Sequence, residues 1–331
     1  MLMKYLKRLT IFIIIFLSAC DIFHSNAGSS WDIILSIKFS SHEKNNYEFY
    51  VMNKDGSNLT RLTYTEKKMS LLLNETFVNC AYPSVSQDGR KIIFTRLNDG
   101  GGKYGAIIYS DGSNERHIDN TGTSVYYGTW MRNISNKVLV CKWMYGPFGN
   151  YELFVYDDMY FNNGSILFSR GLHQTYPSCH PDGNTILYNE SNWKLRIYNI
   201  SSGTDTPLVS PSNPIYNFGI FSPDGKYIVM QKNWMTQTIT DTIVFTSNNI
   251  FVSPYPGPSI TQLTFTGANR HPVWSPDGKK IYFMSARAPH ASNYELYSMN
   301  RDGSNVKRIT YFSDDDANAQ VHTVCYRGVP R

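Results

Sequence analysis

The chain of 331 residues is long enough for two average domains or one large all-β domain, and its composition excludes several classes of protein. Charged residues make up 17% and aromatic residues 15%, with 24 tyrosines, which is too hydrophobic for a disordered chain and typical of many short strands. The formal charge of +5 does not indicate nucleic-acid binding, because Lys4, Lys7 and Arg8 lie in the N-terminal segment. Without these three, 28 basic and 26 acidic residues remain, which gives a formal net charge of +2. No long amphipathic helical pattern suggests an α/β enzyme.

Residues 1–19 have the features of an export signal. A positive segment precedes the apolar run 9–17, which is short for a membrane span. The following sequence, Leu-Ser-Ala-Cys at 17–20, resembles the bacterial lipobox. This resemblance implies cleavage before Cys20, a diacylglycerol-type lipid on its thiol and attachment to a membrane surface. An ordinary signal peptide or a short anchor is the alternative. Residues 20–30 then form the lipidated cysteine and a polar tether, and 31–331 form the folded domain.

Asp-Gly turns between short β-branched and aromatic runs organise this domain. Between Arg270 and Thr310, the turns at Asp277-Gly278 and Asp302-Gly303 each tolerate the positive φ angles of a tight reversal. The stretch therefore predicts four short antiparallel strands, at His271–Ser275, Lys280–Ser285, Glu295–Asn300 and Val306–Thr310.

The same pattern recurs along the sequence. EFYVMNKDGSNLTRLT near the start matches ELYSMNRDGSNVKRIT near the end, and the first turn recurs at Asp88, Asp182, Asp224 and Asp277, with a degenerate turn near residue 135. These spacings of roughly 42 to 53 residues fit propeller blades of about 40–50 residues. The first repeat lacks its first strand, which Ala319–Gly328 can supply. We therefore predict a monomeric, all-β, six-bladed β-propeller of four-stranded antiparallel blades, the first blade closed by the C-terminal strand.

Three turn segments carry a family resemblance. WSPDGKKIYFMS, FSPDGKYIVM and CHPDGNTILY, followed by ELYSMNRDGSN and RIT, resemble the WD40-like propeller repeats of the TolB family over nearly all of residues 31–328. The third repeat lacks the SPDG sequence, and no N-terminal α/β domain like that of TolB is present. The resemblance implies a propeller of the bacterial cell envelope, on the periplasmic side of a membrane or at the cell surface.

One position in each repeat points to the central channel. In a propeller the first strand of a blade lines the channel, and the residue before the proline or its equivalent lies near the mouth. Five of these positions are aromatic or histidine, and the closing strand supplies Val321 or His322; the set is Tyr82, Tyr127, Tyr176, Phe218, His271 and His322. Such a ring could stack sugars or grip a peptide terminus, or its side chains could pack and plug the channel.

Other candidate sites have weaker support. The recurrent turn residues Asp88, Asp182, Asp224 and Asp277 serve the fold, because an aspartate in a tight turn caps neighbouring amides, whereas a catalytic residue would occur once. His271 and His322, with Gln320, provide too few convergent ligands for a metal, and Asp314–Asp316 is an acidic run typical of a solvated loop. The four remaining cysteines, Cys80, Cys141, Cys179 and Cys325, lack metal-site spacing and favour buried thiols, although a disulfide stays open.

The sequence favours a non-enzymatic, membrane-anchored envelope lipoprotein that binds a protein or peptide partner. No GxSxG motif is present, and no cofactor other than the lipid on Cys20 is expected. The channel mouth is the predicted binding surface, with the long loops Tyr64–Cys80 and Asn233–Phe245 as additional candidates. The alternative is a carbohydrate-binding propeller or a metal-dependent propeller similar to polysaccharide lyases, suggested by the aromatic ring and the two histidines.

Overall fold

The computed structural model describes most of the residues that follow position 30. The described ranges are 31–38, 47–64, 78–98, 102–118, 124–134, 136–145, 149–158, 164–191, 194–209, 216–239, 242–257, 259–287, 294–312 and 320–326. At 38, 78, 98, 233–239, 242–247 and 320–326 the description is of the backbone alone. The predicted signal, Cys20 and the tether lie outside these ranges.

Within the described residues, six four-stranded antiparallel sheets form the blades of a propeller. Blade 1 contains β1 (Ile33–Lys38), β2 (Tyr47–Met52) and β3 (Thr60–Arg61). Blade 2 contains β4 (Val78–Val85), β5 (Lys91–Asn98), β6 (Lys103–Tyr109) and β7 (Arg116–Ile118). Blade 3 contains β8 (Val125–Trp130), β9 (Lys137–Met144), β10 (Asn150–Asp157) and β11 (Ser165–Phe168).

The remaining blades repeat this order. Blade 4 contains β12 (Gln174–Cys179), β13 (Thr185–Glu190), β14 (Lys194–Asn199) and β15 (Asp205–Pro207). Blade 5 contains β16 (Tyr216–Phe221), β17 (Tyr227–Ile239), β18 (Thr242–Pro254) and β19 (Thr261–Gln262). Blade 6 contains β20 (Ala268–Trp274), β21 (Lys280–Ala286), β22 (Glu295–Asn300) and β23 (Lys307–Arg308). The predicted all-β, six-bladed architecture is confirmed.

Blade 1 obtains its fourth strand from the far end of the sequence. The last strand, β24 (Gln320–Tyr326), pairs antiparallel with β1, so the sheet order is β24-β1-β2-β3. The register runs from Ile33 opposite Tyr326 to Lys38 opposite Gln320. In this pairing the N-terminal and C-terminal strands share one sheet, and β1 has a partner on both sides.

Apolar strands pack the blades against one another. One cluster between blades 2 and 3, for example, joins Ile93 and Ile107 to Val138, Val140 and Phe154. The β-branched and aromatic residues that predicted the strands therefore fill the spaces between the sheets, where a pleated surface buries them on both faces.

The two most similar sequence segments share one polar network. In blade 6, Arg308 donates to Glu295 at 2.7 Å, and the Thr310 hydroxyl donates to the same carboxylate. In blade 1, Arg61 donates to Glu48 at 3.1 Å and Thr63 donates to it at 2.5 Å. Both carboxylates are buried. A buried charge needs such partners, which explains why the segments keep Glu, Arg and Thr at the same spacing.

Three of the cysteines are buried free thiols. These are Cys80, Cys141 and Cys179, and burial raises the pKa of Cys80 and of Cys179 to about 12. They therefore stay protonated at neutral pH and are poor nucleophiles. The side chain of Cys325 lies outside the description.

The first-turn aspartates cap their own turns. Asp277 accepts hydrogen bonds from the Ser275 hydroxyl at 2.6 Å and from the Lys279 amide at 3.1 Å. Asp88 and Asp224 repeat this arrangement, and Asp182 accepts from the amides of Asn184 and Thr185. The Ser275 hydrogen bond is the main cause that lowers the pKa of Asp277 below 3.8.

Replacing Asp277 by alanine is expected to reduce the free energy of unfolding by about 1 kcal/mol for each lost turn hydrogen bond. Because the folded state lowers the pKa, this contribution is present at neutral pH and is lost as the pH falls through the folded-state value, below 3.8. Urea unfolding at pH 7 and near pH 3 is the measurement. A difference between wild type and variant that is as large near pH 3 as at pH 7 would contradict the role of the ionised carboxylate.

The predicted long segment at Asn233–Phe245 is not a loop. Strands β17 and β18 are each 13 residues long and pair from Tyr227 opposite Pro254 to Ile239 opposite Thr242. The insertion therefore extends the middle hairpin of blade 5. Its run of Thr, Ile and Val favours extended backbone, a signal that the loop interpretation overlooked.

No helix in the described part of the protein is sufficiently long and apolar to span a membrane.

Candidate binding site at the central channel

The five described mouth residues share an unusual backbone conformation. Each lies at a register shift on the innermost strand of its blade and has a positive φ of 51–54°, although none is glycine; they are Tyr82, Tyr127, Tyr176, Phe218 and His271. A β-bulge of this kind re-aims the side chain of the extra residue, and the left-handed conformation costs a non-glycine residue of the order of 1–2 kcal/mol. The recurrence shows that the channel lining is built from five equivalent bulges.

Buried polar side chains of the preceding blade hold several bulges in place. The amide of Tyr127 donates to the Thr95 hydroxyl at 3.2 Å, and that of Phe218 donates to the Asn189 side chain at 3.2 Å. The His271 amide donates to the Gln231 side chain at 3.1 Å. A bulge removes an amide from the sheet ladder, so each of these contacts satisfies a donor that would otherwise be buried alone.

The five rings converge and contact one another. Ring centroids lie 4.4 Å apart for Tyr82 and Tyr127, 3.7 Å for Tyr127 and Tyr176, 4.0 Å for Tyr176 and Phe218, and 4.6 Å for Phe218 and His271. Tyr82 also lies 6.0 Å from Tyr176 and 6.3 Å from His271, which belong to blades two positions away. We call this set the aromatic ring. Its side chains pack together across the channel, which is the packing arrangement considered in the sequence analysis.

Three tyrosines of this region are neutral phenols. Burial is the main cause that raises the pKa of Tyr126, Tyr127 and Tyr176 above the usual value of 10.0. The Tyr126 hydroxyl donates to the Tyr82 hydroxyl at 3.2 Å, and the hydroxyls of Tyr127 and Tyr176 are also hydrogen-bonded. These three tyrosines therefore stay protonated at neutral pH and offer apolar faces and hydrogen-bonding hydroxyl groups.

A cavity of about 250 Å³ has the aromatic ring as its floor. Its walls come from the residues that follow each bulge on the innermost strands of blades 2 to 6, including Val85, Thr129, Ile220 and Val273. Gln87 lies at its exposed rim. The cavity therefore opens toward the side of the propeller that carries the SPDG-type turns, and it combines apolar walls with a few hydroxyl groups.

The sixth position is described by its backbone alone. In the pairing of β24 with β1, Val321 lies opposite Ile37 and Thr323 opposite Ser36, so His322 is the extra residue at the register shift. This matches the bulge position of the other five blades. Whether the His322 side chain joins the aromatic ring stays a prediction.

The other predicted sites remain without structural support. Among the residues that the structure describes, no three His, Cys, Asp or Glu side chains are arranged to hold a metal ion. Asp314–Asp316 and most of the segment Tyr64–Cys80 lie outside those residues.

The sequence interpretation missed Tyr126, Lys103 and Arg270, which lie on the opposite side of the aromatic ring from the cavity. For Tyr126 and Arg270 the signal was their position directly before a bulge residue.

These features define the protein as a six-bladed β-propeller with a cavity above an aromatic floor. The fold is that of TolB-type propellers: a TolB-type protein of Agrobacterium tumefaciens has a TM-score of 0.58 at 15% identity, over 90% of this chain and 99% of that one. TolB of Acinetobacter baumannii has a TM-score of 0.54 at 15% identity, over 84% of this chain and 68% of that one.

Similar propellers also occur in other proteins. The hydrazine synthase of Kuenenia stuttgartiensis has a TM-score of 0.65 at 13% identity, over 91% of this chain and 48% of that one. The sequence matches no protein-family model and no curated protein. At these identities the similarity shows the fold, and one propeller fold hosts many functions.

Proposed function

We propose that this protein is a membrane-anchored lipoprotein of the bacterial cell envelope, whose propeller binds a protein or peptide partner and performs no catalysis. The cavity above the aromatic ring is the observation that carries the proposal. Its volume of about 250 Å³ is below the range of about 300–1,000 Å³ typical of drug-sized ligand sites, and it suits one or two side chains of an inserted peptide.

The cavity walls favour binding over chemistry. Val85, Ile220 and Val273 offer apolar surface, and a peptide anchor would stack on the aromatic ring. The nearby hydroxyls form contacts within the fold. The Ser84 and Thr129 hydroxyls lie 3.4 Å apart, and the Ser178 hydroxyl accepts a hydrogen bond from the Phe221 amide at 3.2 Å. A nucleophile would instead need an adjacent base and a third orienting group.

The anchoring part of the proposal depends on the lipobox-like sequence at 17–20. Replacing Cys20 by serine removes the thiol that would carry lipid, so the variant is expected to incorporate none of the labelled fatty acid that wild type incorporates. A variant labelled as strongly as wild type would contradict lipidation at Cys20.

The binding part is tested by crosslinked pull-downs from native envelopes. Thr129→Trp fills the cavity, whereas Ile166→Trp places the same side chain on the exposed outer strand of blade 3, where Ile166 is 44% exposed. We expect one protein partner with wild type and Ile166→Trp, and about tenfold less of it with Thr129→Trp. Equal recovery with all three forms would exclude the cavity, and no partner with any form would exclude the proposed function.

A further inference from the structure

On the opposite side of the aromatic ring, two partly buried cations have no acidic partner among the described residues. Arg270 precedes His271 on β20, whereas the cavity is lined by residues 271–276 of that blade, so Arg270 lies on the far side of the ring. The guanidinium carbon of Arg270 lies 3.5 Å from the centroid of the Tyr294 ring. Its Nε is buried without a hydrogen-bond partner in the described part of the protein.

Lys103, the first residue of β6, is the second cation. Its ammonium lies 4.1 Å from the centroid of the Tyr126 ring and donates to the Tyr151 hydroxyl at 3.2 Å. Burial is the main cause that lowers the pKa of both Lys103 and Arg270, and Tyr82 is near enough to influence both groups. Lys103 contacts Tyr126, whose hydroxyl donates to that of Tyr82. Arg270 directly precedes His271, whose ring lies 6.3 Å from that of Tyr82, so both cations lie near Tyr82.

The surroundings of these two cations differ from those of several other arginines. Considering only described residues, no carboxylate lies within 4.0 Å of Arg270 or Lys103. The buried Arg96 pairs with Glu115, and the half-buried Arg308 pairs with Glu295. Desolvating a cation without a counter-charge is costly, so an incoming anion would recover part of this cost.

We propose that Arg270 and Lys103 form a carboxylate-binding site at the mouth of the channel opposite the cavity. The planar guanidinium of Arg270 presents parallel N–H donors that match a carboxylate, while the ring of Tyr294 holds it in place. The Lys103 ammonium and the tyrosine hydroxyls supply further donors. This site is independent of the partner site in the cavity, because the aromatic ring separates the two.

The test uses glutarate as the probe and its neutral analogue glutaramide as the control. Thermal unfolding and calorimetric titration of the detergent-solubilised full-length protein are compared at constant ionic strength for wild type, Arg270→Gln and Arg287→Gln. Arg287 is a matched control. Its guanidinium also lies over the side chain of a tyrosine, Tyr297, but its Nε donates to the Ser285 hydroxyl at 2.9 Å. We expect glutarate to raise the melting temperature of wild type and of Arg287→Gln, and to bind Arg270→Gln about tenfold more weakly.

The following outcomes would show that Arg270 and Lys103 do not form a carboxylate-binding site. A stabilisation that persists in Arg270→Gln, or that glutaramide reproduces, would place the effect elsewhere. No effect of glutarate on wild type would show that the cations bind no free carboxylate. If inorganic phosphate stabilises wild type more than glutarate at equal concentration, the site is a phosphate site. Lys103→Gln, which is expected to weaken glutarate binding, provides the same comparison if Arg270→Gln does not fold.

Discussion

Replacing Trp274 by alanine is expected to reduce the free energy of unfolding by about 3–5 kcal/mol. Trp274 ends the innermost strand of blade 6, is 6% exposed and packs with Val229, Ile281 and Phe283 between blades 5 and 6. Its indole N–H donates to the carbonyl of Ile220 in blade 5 at 3.0 Å. The substitution therefore leaves a cavity at a blade interface and an unsatisfied carbonyl. Urea unfolding measures the loss, provided that the slope is unchanged.

Trp274→Phe separates the two contributions. Phenylalanine retains most of the apolar contact and removes the hydrogen bond, so a smaller loss is expected. Trp130 occupies the equivalent position in blade 3, where its indole donates to the carbonyl of Ser84 in blade 2 at 3.0 Å. Trp130→Ala should therefore behave like Trp274→Ala. A loss below about 1 kcal/mol for both alanine variants would contradict the role of these contacts between blades.

Replacing Lys91 by methionine is expected to cost about 3–5 kcal/mol, because it leaves a buried carboxylate without its counter-charge. The Lys91 ammonium of blade 2 lies 2.5 Å from the carboxylate of Asp158, which follows the third strand of blade 3. The Asp158 side chain is 1% exposed, and its other oxygen has no hydrogen-bond partner within the described residues. The measurement is again urea unfolding at pH 7.

A neighbouring ion pair supplies the control. Lys137 lies 3.5 Å from Asp157, and both side chains are more than 30% exposed. Exposed pairs contribute about 0–1 kcal/mol, so Lys137→Met should change the stability little. If Lys91→Met costs no more than Lys137→Met, burial of Asp158 does not control the stability of this blade interface.

The repeat architecture was predictable because local signals agree with it. The turns at Asp88, Asp182, Asp224 and Asp277 fix where strands reverse, and the β-branched runs between them fix which residues are extended. These signals act within a few residues of one another, so they are visible without any tertiary contact. The outer part of the hairpin formed by β17 and β18 was not predicted, because the Thr-rich stretch Asn233–Phe245 was assigned to an insertion.

The channel site was only partly predictable. Aligning the repeats selected Tyr82, Tyr127, Tyr176, Phe218 and His271, all of which lie at the channel. Their bulges and positive φ angles depend on polar contacts from the preceding blade, such as Thr95 to Tyr127, and no local pattern reveals these. The contact of the rings across the channel depends on ring closure, which brings together residues up to about 190 positions apart.

The cation pair was not predictable for the same reason. Arg270 and Lys103 come from blades 6 and 2, and only the assembled propeller brings them to the same side of the aromatic ring. The sequence shows two ordinary basic residues. Their significance comes from burial and from the lack of a nearby carboxylate among the described residues, which are properties of the folded protein.

Site-specific photo-crosslinking in native envelopes tests most sharply whether a protein partner binds in the cavity. A photoreactive amino acid is placed at Thr129 in the cavity wall, at Gln87 on its rim and at Ile166 on the outer strand of blade 3. If a partner binds in the cavity, the same protein adduct is expected from Thr129 and Gln87 and none from Ile166. An adduct from Ile166 alone, or no adduct from the two cavity positions, would contradict a partner site in the cavity.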